Sequence, residues 1–126
     1  MRVIADLLHP NGLIGTPDGK VLYVASYGGS VTYAYDIQPD GTLTNKRLFC
    51  SMGSDGMTID DEGNVYQTGI NVRVYDKTGQ LIERINVPAP STTNVCFGGK
   101  DLRTLFITTG NRLYAIRTRV KGVGSQ

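Results

Sequence analysis

Ser54-Asp55-Gly56-Met57-Thr58-Ile59-Asp60-Asp61-Glu62-Gly63-Asn64-Val65-Tyr66 is the stretch that decides the fold. It reads as a polar step, a short apolar strand, an acidic turn closed by glycine, and a second strand. The layout occurs earlier as Asn11-Gly12-Leu13-Ile14-Gly15-Thr16-Pro17-Asp18-Gly19-Lys20-Val21-Leu22-Tyr23. It returns, looser, as Asn94-Val95-Cys96-Phe97-Gly98-Gly99-Lys100, running on to Leu105-Phe106. Recurrence of one unit at about 40 residues marks a repeat architecture, in which each unit buries its apolar face on the next.

Within the first unit, strands are predicted at 11–16, 21–26, 30–35 and 43–50. Pro17-Asp18-Gly19-Lys20, Tyr27-Gly28-Gly29 and Gln38-Pro39-Asp40-Gly41-Thr42 are read as turns. Pro presets the first corner, Gly accepts positive φ, and Asp36 and Asp76 are positioned to cap the turns that follow them. The second unit has strands at 55–60, 64–68, 71–75 and 80–87. Pro88-Ala89-Pro90 then forces an extended crossover. The third has strands at 93–97, 103–108 and 112–118, and Gly122 to Gln126 is a fraying tail. Another strand is predicted at 2–7. Four short antiparallel strands per unit of about 40 residues is the pattern of a propeller blade. A sandwich also has short strands with regular turns. It does not explain why Asn11, Asp55 and Asn94, spaced 44 and 39 residues apart, head the three units. The predicted fold is therefore all-β, a β-propeller with three four-stranded blades per chain. Its single domain, 1–126, divides into blades at about 11–51, 55–87 and 93–118, plus the N-terminal strand 2–7. Propellers have about four to eight blades. A homodimer with a two-fold axis would give six blades and no bare face. In it, the N-terminal strand of one chain would complete the last blade of the other.

With 126 residues the chain is long enough for one domain with a real core. Sixteen Gly and seven Tyr among many Val, Ile and Thr favour strands and tight turns over helices. A net charge of +2 without a basic run gives no support for nucleic acid or an anionic membrane as partner. The first eight residues are too short, and too interrupted by Asp6, for a secretory signal, and no apolar run approaches a membrane span. The expected location is the cytoplasm, with Cys50 and Cys96 on different strands as small reduced hydrophobes.

The order and spacing of several motifs resemble the C-terminal half of the family of gluconolactonases, senescence marker protein (regucalcin) and luciferin-regenerating enzyme. They are Pro10-Asn11-Gly12-Leu13, Thr16-Pro17-Asp18-Gly19-Lys20-Val21-Leu22-Tyr23-Val24-Ala25, Asp55-Gly56-Met57, Asp60-Asp61-Glu62-Gly63-Asn64-Val65-Tyr66, Val74-Tyr75-Asp76, Cys96-Phe97-Gly98-Gly99 and Arg119-Val120-Lys121-Gly122. The resemblance implies a six-bladed propeller with one divalent metal at the mouth of its channel. It implies Asn11 and Asp55 as metal ligands and Asp55 also as general base. A further Glu and Asn of the family's ligand set lie in its N-terminal half and have no counterpart here.

On this basis Asp55 is the catalytic candidate, and Asn11, Asp55 and Asn94 are the metal candidates. Carboxylate and amide oxygens suit Ca²⁺ first, with Mg²⁺ or Mn²⁺ as alternatives. Such a cation polarises a lactone carbonyl and lowers the pKa of a bound water. Asp before Gly and Asn before Gly are also ordinary turn pairs. His9, Tyr27, Gln67, Asn71 and Thr109 fall near the expected mouth as substrate-pocket candidates. Asp18, Asp40, Asp60, Asp61 and Glu62 are assigned to turns on the far face. One His and two scattered Cys make no zinc site, and the serines lack a nucleophile elbow. The expected function is metal-dependent hydrolysis of a sugar or related lactone, with a lactone or sugar acid as ligand. The alternative is a non-catalytic propeller module that binds a small polar ligand or a cation. A third reading makes the chain a fragment of a longer enzyme.

Overall fold

The structure is a computed structural model and describes residues 1–26 and 30–123. It is built of antiparallel strands. Sheet 1 runs β1 (Pro10–Gly15), β2 (Val21–Ser26), β3 (Val31–Ile37), β4 (Leu43–Cys50), in spatial order β1-β2-β3-β4. Sheet 2 runs β5 (Met57–Ile59), β6 (Val65–Gln67), β7 (Val72–Tyr75), β8 (Leu81–Ile85), again in chain order. Sheet 3 has β9 (Thr92–Gly98), β10 (Thr104–Thr109) and β11 (Leu113–Arg117).

The turns follow from a repeated local device. Asp18, Asp40, Asp76 and Asp101 each accept the N–H two residues on, from Lys20, Thr42, Thr78 and Arg103, at 2.9 to 3.1 Å. Gly41 and Gly79, at φ +87° and +86°, close two of these turns by donating to the carbonyls of Gln38 and Asp76. That backbone region is costly for any residue with a Cβ. Asp36 departs from its expected role. It lies inside β3 and binds the Asn45 amide and the Arg47 guanidinium, while Asp40 caps the turn. Asp60 is fully buried and accepts from Glu62 N, Asn64 N, Asn64 Nδ2 and Tyr66 Oη, so it holds its turn from inside.

Two apolar layers join the sheets. Between sheets 1 and 2 lie Tyr23, Ala25, Ala34, Phe49, Met57, Ile59, Val65 and Tyr75. Phe49 stacks on Tyr23 at 4.3 Å and meets the Tyr75 edge at 6.2 Å. Between sheets 2 and 3 lie Tyr66, Val72, Val74, Val95, Leu105 and Ile107. At one end the leading strands converge: β5 touches both β1 and β9. Two glycines permit that approach. A Cβ on Gly12 would run into the Asp55 carbonyl, and one on Gly56 would run into Asn94.

The described residues hold eleven strands rather than the twelve predicted. Residues 2–7 form no ladder with any described strand, and a strand needs a neighbour's backbone groups. The segment instead rests near sheet 1, through an Asp6–Lys46 ion pair at 3.0 Å and a hydrogen bond from Ser26 Oγ to the Leu8 carbonyl. Sheet 3 therefore stands one strand short. The turn expected at 27–29, with Tyr27, and residues 124–126 of the expected tail lie outside the described residues, whereas Gly122, expected to fray, bridges Asp60 and donates to the Leu102 carbonyl. Cys50 ends β4, buried. Cys96 lies on β9 but is exposed rather than packed as a small hydrophobe.

Candidate functional site

The converging strand starts enclose an open cleft of about 650 Å³, lined by Asn11, Leu13, Asp55, Met57, Thr93, Asn94 and Thr108 together with Gly12 and Gly56. Asn11 comes from β1, Asp55 from the loop entering β5, and Asn94 from β9. Asn11 Nδ2 donates to Asp55 Oδ1 at 2.8 Å. That bond fixes the Asn11 amide and leaves its oxygen as an acceptor toward any ligand.

Asp55 sits on a loop pinned from beneath. Ser54, 2% exposed, accepts the Thr68 N–H at 2.9 Å and donates to the Gly56 carbonyl at 3.1 Å. Thr68 Oγ1 donates to the same carbonyl at 2.9 Å. The buried Arg73 reaches across from β7, donating to the carbonyls of Gly53 and Thr68 at 3.3 and 3.2 Å. Gly56 N donates to Thr93 O at 3.0 Å and ties the loop to β9. The carboxylate is thus carried by a braced backbone rather than a free loop.

Asn94 Oδ1 accepts from its own neighbour, Val95 N, at 2.9 Å. An amide oxygen has two lone pairs, so one remains for a cation. Thr93 and Thr108 face each other with hydroxyls 2.9 Å apart. Neither was marked by the sequence, since no local pattern distinguishes a threonine on a cleft wall from one in any strand. Ser54, Thr68 and Arg73 were missed for the same reason, although Ser54 directly precedes the catalytic candidate.

The remaining candidates sit elsewhere. His9 is exposed, at φ +48°, and outside the cleft lining. Gln67 is fully buried under the floor, its Nε2 donating to Thr32 Oγ1 at 2.7 Å and contacting Met57 Sδ at 3.5 Å. Asn71 takes a left-handed turn conformation and accepts Val87 N. Thr109 is bonded to the Arg112 backbone. None of these three lines the cleft.

One carboxylate and two amide oxygens suit a hard divalent cation, which fills the rest of its shell with water or ligand oxygens. Among the described residues there is no cluster of three His, Cys, Asp or Glu side chains. No helix among them is long and apolar enough to cross a membrane.

The description SMP-30/Gluconolactonase/LRE-like region matches residues 1–111. The chain belongs to this family. The family member regucalcin from Sus scrofa is 34% identical over 78% of the chain and 36% of its own length. A solved gluconolactonase from Xanthomonas campestris superposes with TM-score 0.81 and 35% identity, covering 90% of this chain and 39% of that one. A structure of a calcium-binding protein, regucalcin, from Agrobacterium tumefaciens superposes with TM-score 0.86 at 24% identity, over 97% and 50%. That likeness establishes the shared propeller-like arrangement of antiparallel sheets. The chain spans between about a third and a half of the length of the curated relatives it matches.

Proposed function

We propose that this family member hydrolyses a lactone of a sugar or related hydroxy acid in the Asn11–Asp55–Asn94 cleft. The observation that supports this most directly is the 2.8 Å bond from Asn11 Nδ2 to Asp55 Oδ1, at the cleft, on a chain of the gluconolactonase family. A divalent cation, Ca²⁺ foremost, would be held by Asn11, Asp55 and Asn94 and would supply charge to polarise the lactone carbonyl.

The chain's own part is orientation and proton handling. Asn11 holds one oxygen of Asp55 and leaves the carboxylate to accept the proton of the attacking water. Water oxygen bonds to the acyl carbon, the ring C–O bond breaks, and the ring oxygen takes the proton back from Asp55 and leaves as the hydroxyl of the acid. Thr93 and Thr108 offer hydroxyls to the substrate's own hydroxyls along the cleft wall. Hydrolysis of an aldonolactone, followed with and without chelator, tests the reading. Chelator-sensitive turnover that falls about 10²–10⁴-fold in Asp55→Ala is expected. Background turnover unchanged by either treatment would defeat it.

The second reading is a non-catalytic module that binds a small polar ligand or a cation. Its support is the donor set itself: Asp55 is the only carboxylate in the described cleft lining. Calorimetric Ca²⁺ binding, abolished by Asp55→Ala, in a chain without lactone turnover is its signature.

A further inference from the structure

Sheet 2 is covered on both faces, by the two apolar layers. Sheet 3 is covered on one; sheet 1 is covered on one and, on its other face, over Tyr35, which is 1% exposed, and over Tyr33, where Lys46 Nζ lies 4.3 Å from the ring centre. Antiparallel partners share a face, so the register lays Leu13, Val24, Tyr33 and Leu48 in one row across the other face of sheet 1. Leu13 and Leu48 are 58% and 59% exposed. On sheet 3 the register aligns Cys96, Phe106 and Ala115 on the face turned away from sheet 2, beside Asn94, Thr108 and Leu113. Leu113 is 66% exposed, and a small apolar hollow of about 150 Å³ opens between Cys96, Phe106 and Leu113. Among the described residues the same sheet has three strands, so β11 is paired on one side only. Residues 2–7 carry a strand's sequence without a ladder.

We propose that two copies of this chain close into a ring, the Leu13–Val24–Tyr33–Leu48 row of each packing on the Cys96–Phe106–Ala115 row of the other. Residues 2–7 of each copy then add to β11 of the other. Two observations select a second copy as the occupant. The chain already makes this kind of junction twice, face to face, between its own successive sheets. A two-fold axis pairs the two unlike faces twice and leaves neither bare. Leu13, Asn94 and Thr108 line the cleft and lie on these faces, so the partner walls the side of the cleft that a single chain leaves open. The inference stands apart from the lactonase reading, because its readouts are mass and thiol protection.

The test uses the whole chain. Sedimentation across a concentration range is expected to give twice 13.7 kDa. Maleimide labelling of Cys96, exposed in the single chain, is expected to slow as the dimer forms, while Cys50 stays buried throughout. Leu48→Asp and Leu113→Asp change exposed side chains, so each is expected to keep the β-sheet circular dichroism and sediment as a monomer. Mixed in equal amounts they are expected to dimerise again, because one of the two junctions then carries neither substitution. A monomer at every concentration, a dimer in which Cys96 reacts as fast as in the monomer, or a mixture that stays monomeric would each overturn the proposal.

Discussion

A methyl group at Gly56 would collide with the Asn94 side chain and Cα, and one at Gly12 with the Asp55 carbonyl. These two positions are where the leading strands come close enough to set Asn11, Asp55 and Asn94 around one cleft. Overpacking of this kind costs about 1–3 kcal/mol, because backbone as well as side chain must move. Gly56→Ala is therefore expected to lower the urea midpoint and to weaken ligand binding together. Gly110, where an added Cβ meets nothing within 4 Å, is the control. If both alanines behave alike, the close approach has no structural consequence. Ser54 raises a separate expectation. Its hydroxyl satisfies the Thr68 N–H in a buried setting, and leaving such a donor without a partner costs about 1–3 kcal/mol. Ser54→Ala is expected to destabilise by that amount and to lower turnover by releasing the Asp55 loop. A stability loss with untouched turnover would show that the brace serves folding alone. Asn11 and Asp55 were picked out because they head matching units and their motifs resemble those of the family, since an Asx-Gly pair alone is an ordinary turn signal. Thr93 and Thr108 were not, because their role depends on which strands meet, and that is settled only by packing.

At the scale of elements, the turn aspartates give the chain a defined acid response. The Thr16 hydroxyl lowers the pKa of Asp18, the Thr42 hydroxyl that of Asp40 and the Thr78 hydroxyl that of Asp76. The Arg117 guanidinium, followed by the Arg103 N–H, lowers that of Asp101 to about 2. A carboxylate with a depressed folded pKa contributes stability in full above its unfolded value of about 3.9. The contribution is lost as pH falls through the folded value. Urea midpoints are expected to change little through these groups above about pH 5 and to fall toward pH 2. Asp101→Asn should flatten its share of that fall, and a midpoint independent of pH below 4 would refute the linkage. The turns of Asp18-Gly19, Asp40-Gly41 and Asp76-Lys77-Thr78-Gly79 made the strands readable, since each carries its own punctuation. The bounds moved where side chains had other work. The strand expected at 55–60 shrinks to Met57–Ile59, because Asp55 and Gly56 bend to carry the site and Asp60 is drawn into its turn. Asp36 was misassigned because its real partners, Asn45 and Arg47, lie on the next strand.

On the scale of the whole molecule, the informative contrast is between the middle sheet and its neighbours. Both faces of β5–β7 lie against apolar layers, whereas Leu13, Leu48 and Leu113 keep more than half their surface in water. The sequence could show that 2–7 has strand composition, but a ladder requires a neighbour, and no pattern within one chain names a neighbour from another. Burial of the open faces on a second copy would make stability depend on mass action, since a partner that binds only the folded chain adds free energy that grows with the logarithm of its concentration. The thermal midpoint is then expected to rise steadily as the protein is concentrated. In Leu113→Asp it is expected to stay constant, because the junction that couples folding to association is gone. A midpoint independent of concentration in the unsubstituted chain would mean that the outer faces remain in water, and that sheets 1 and 3 are held by their single covered faces alone.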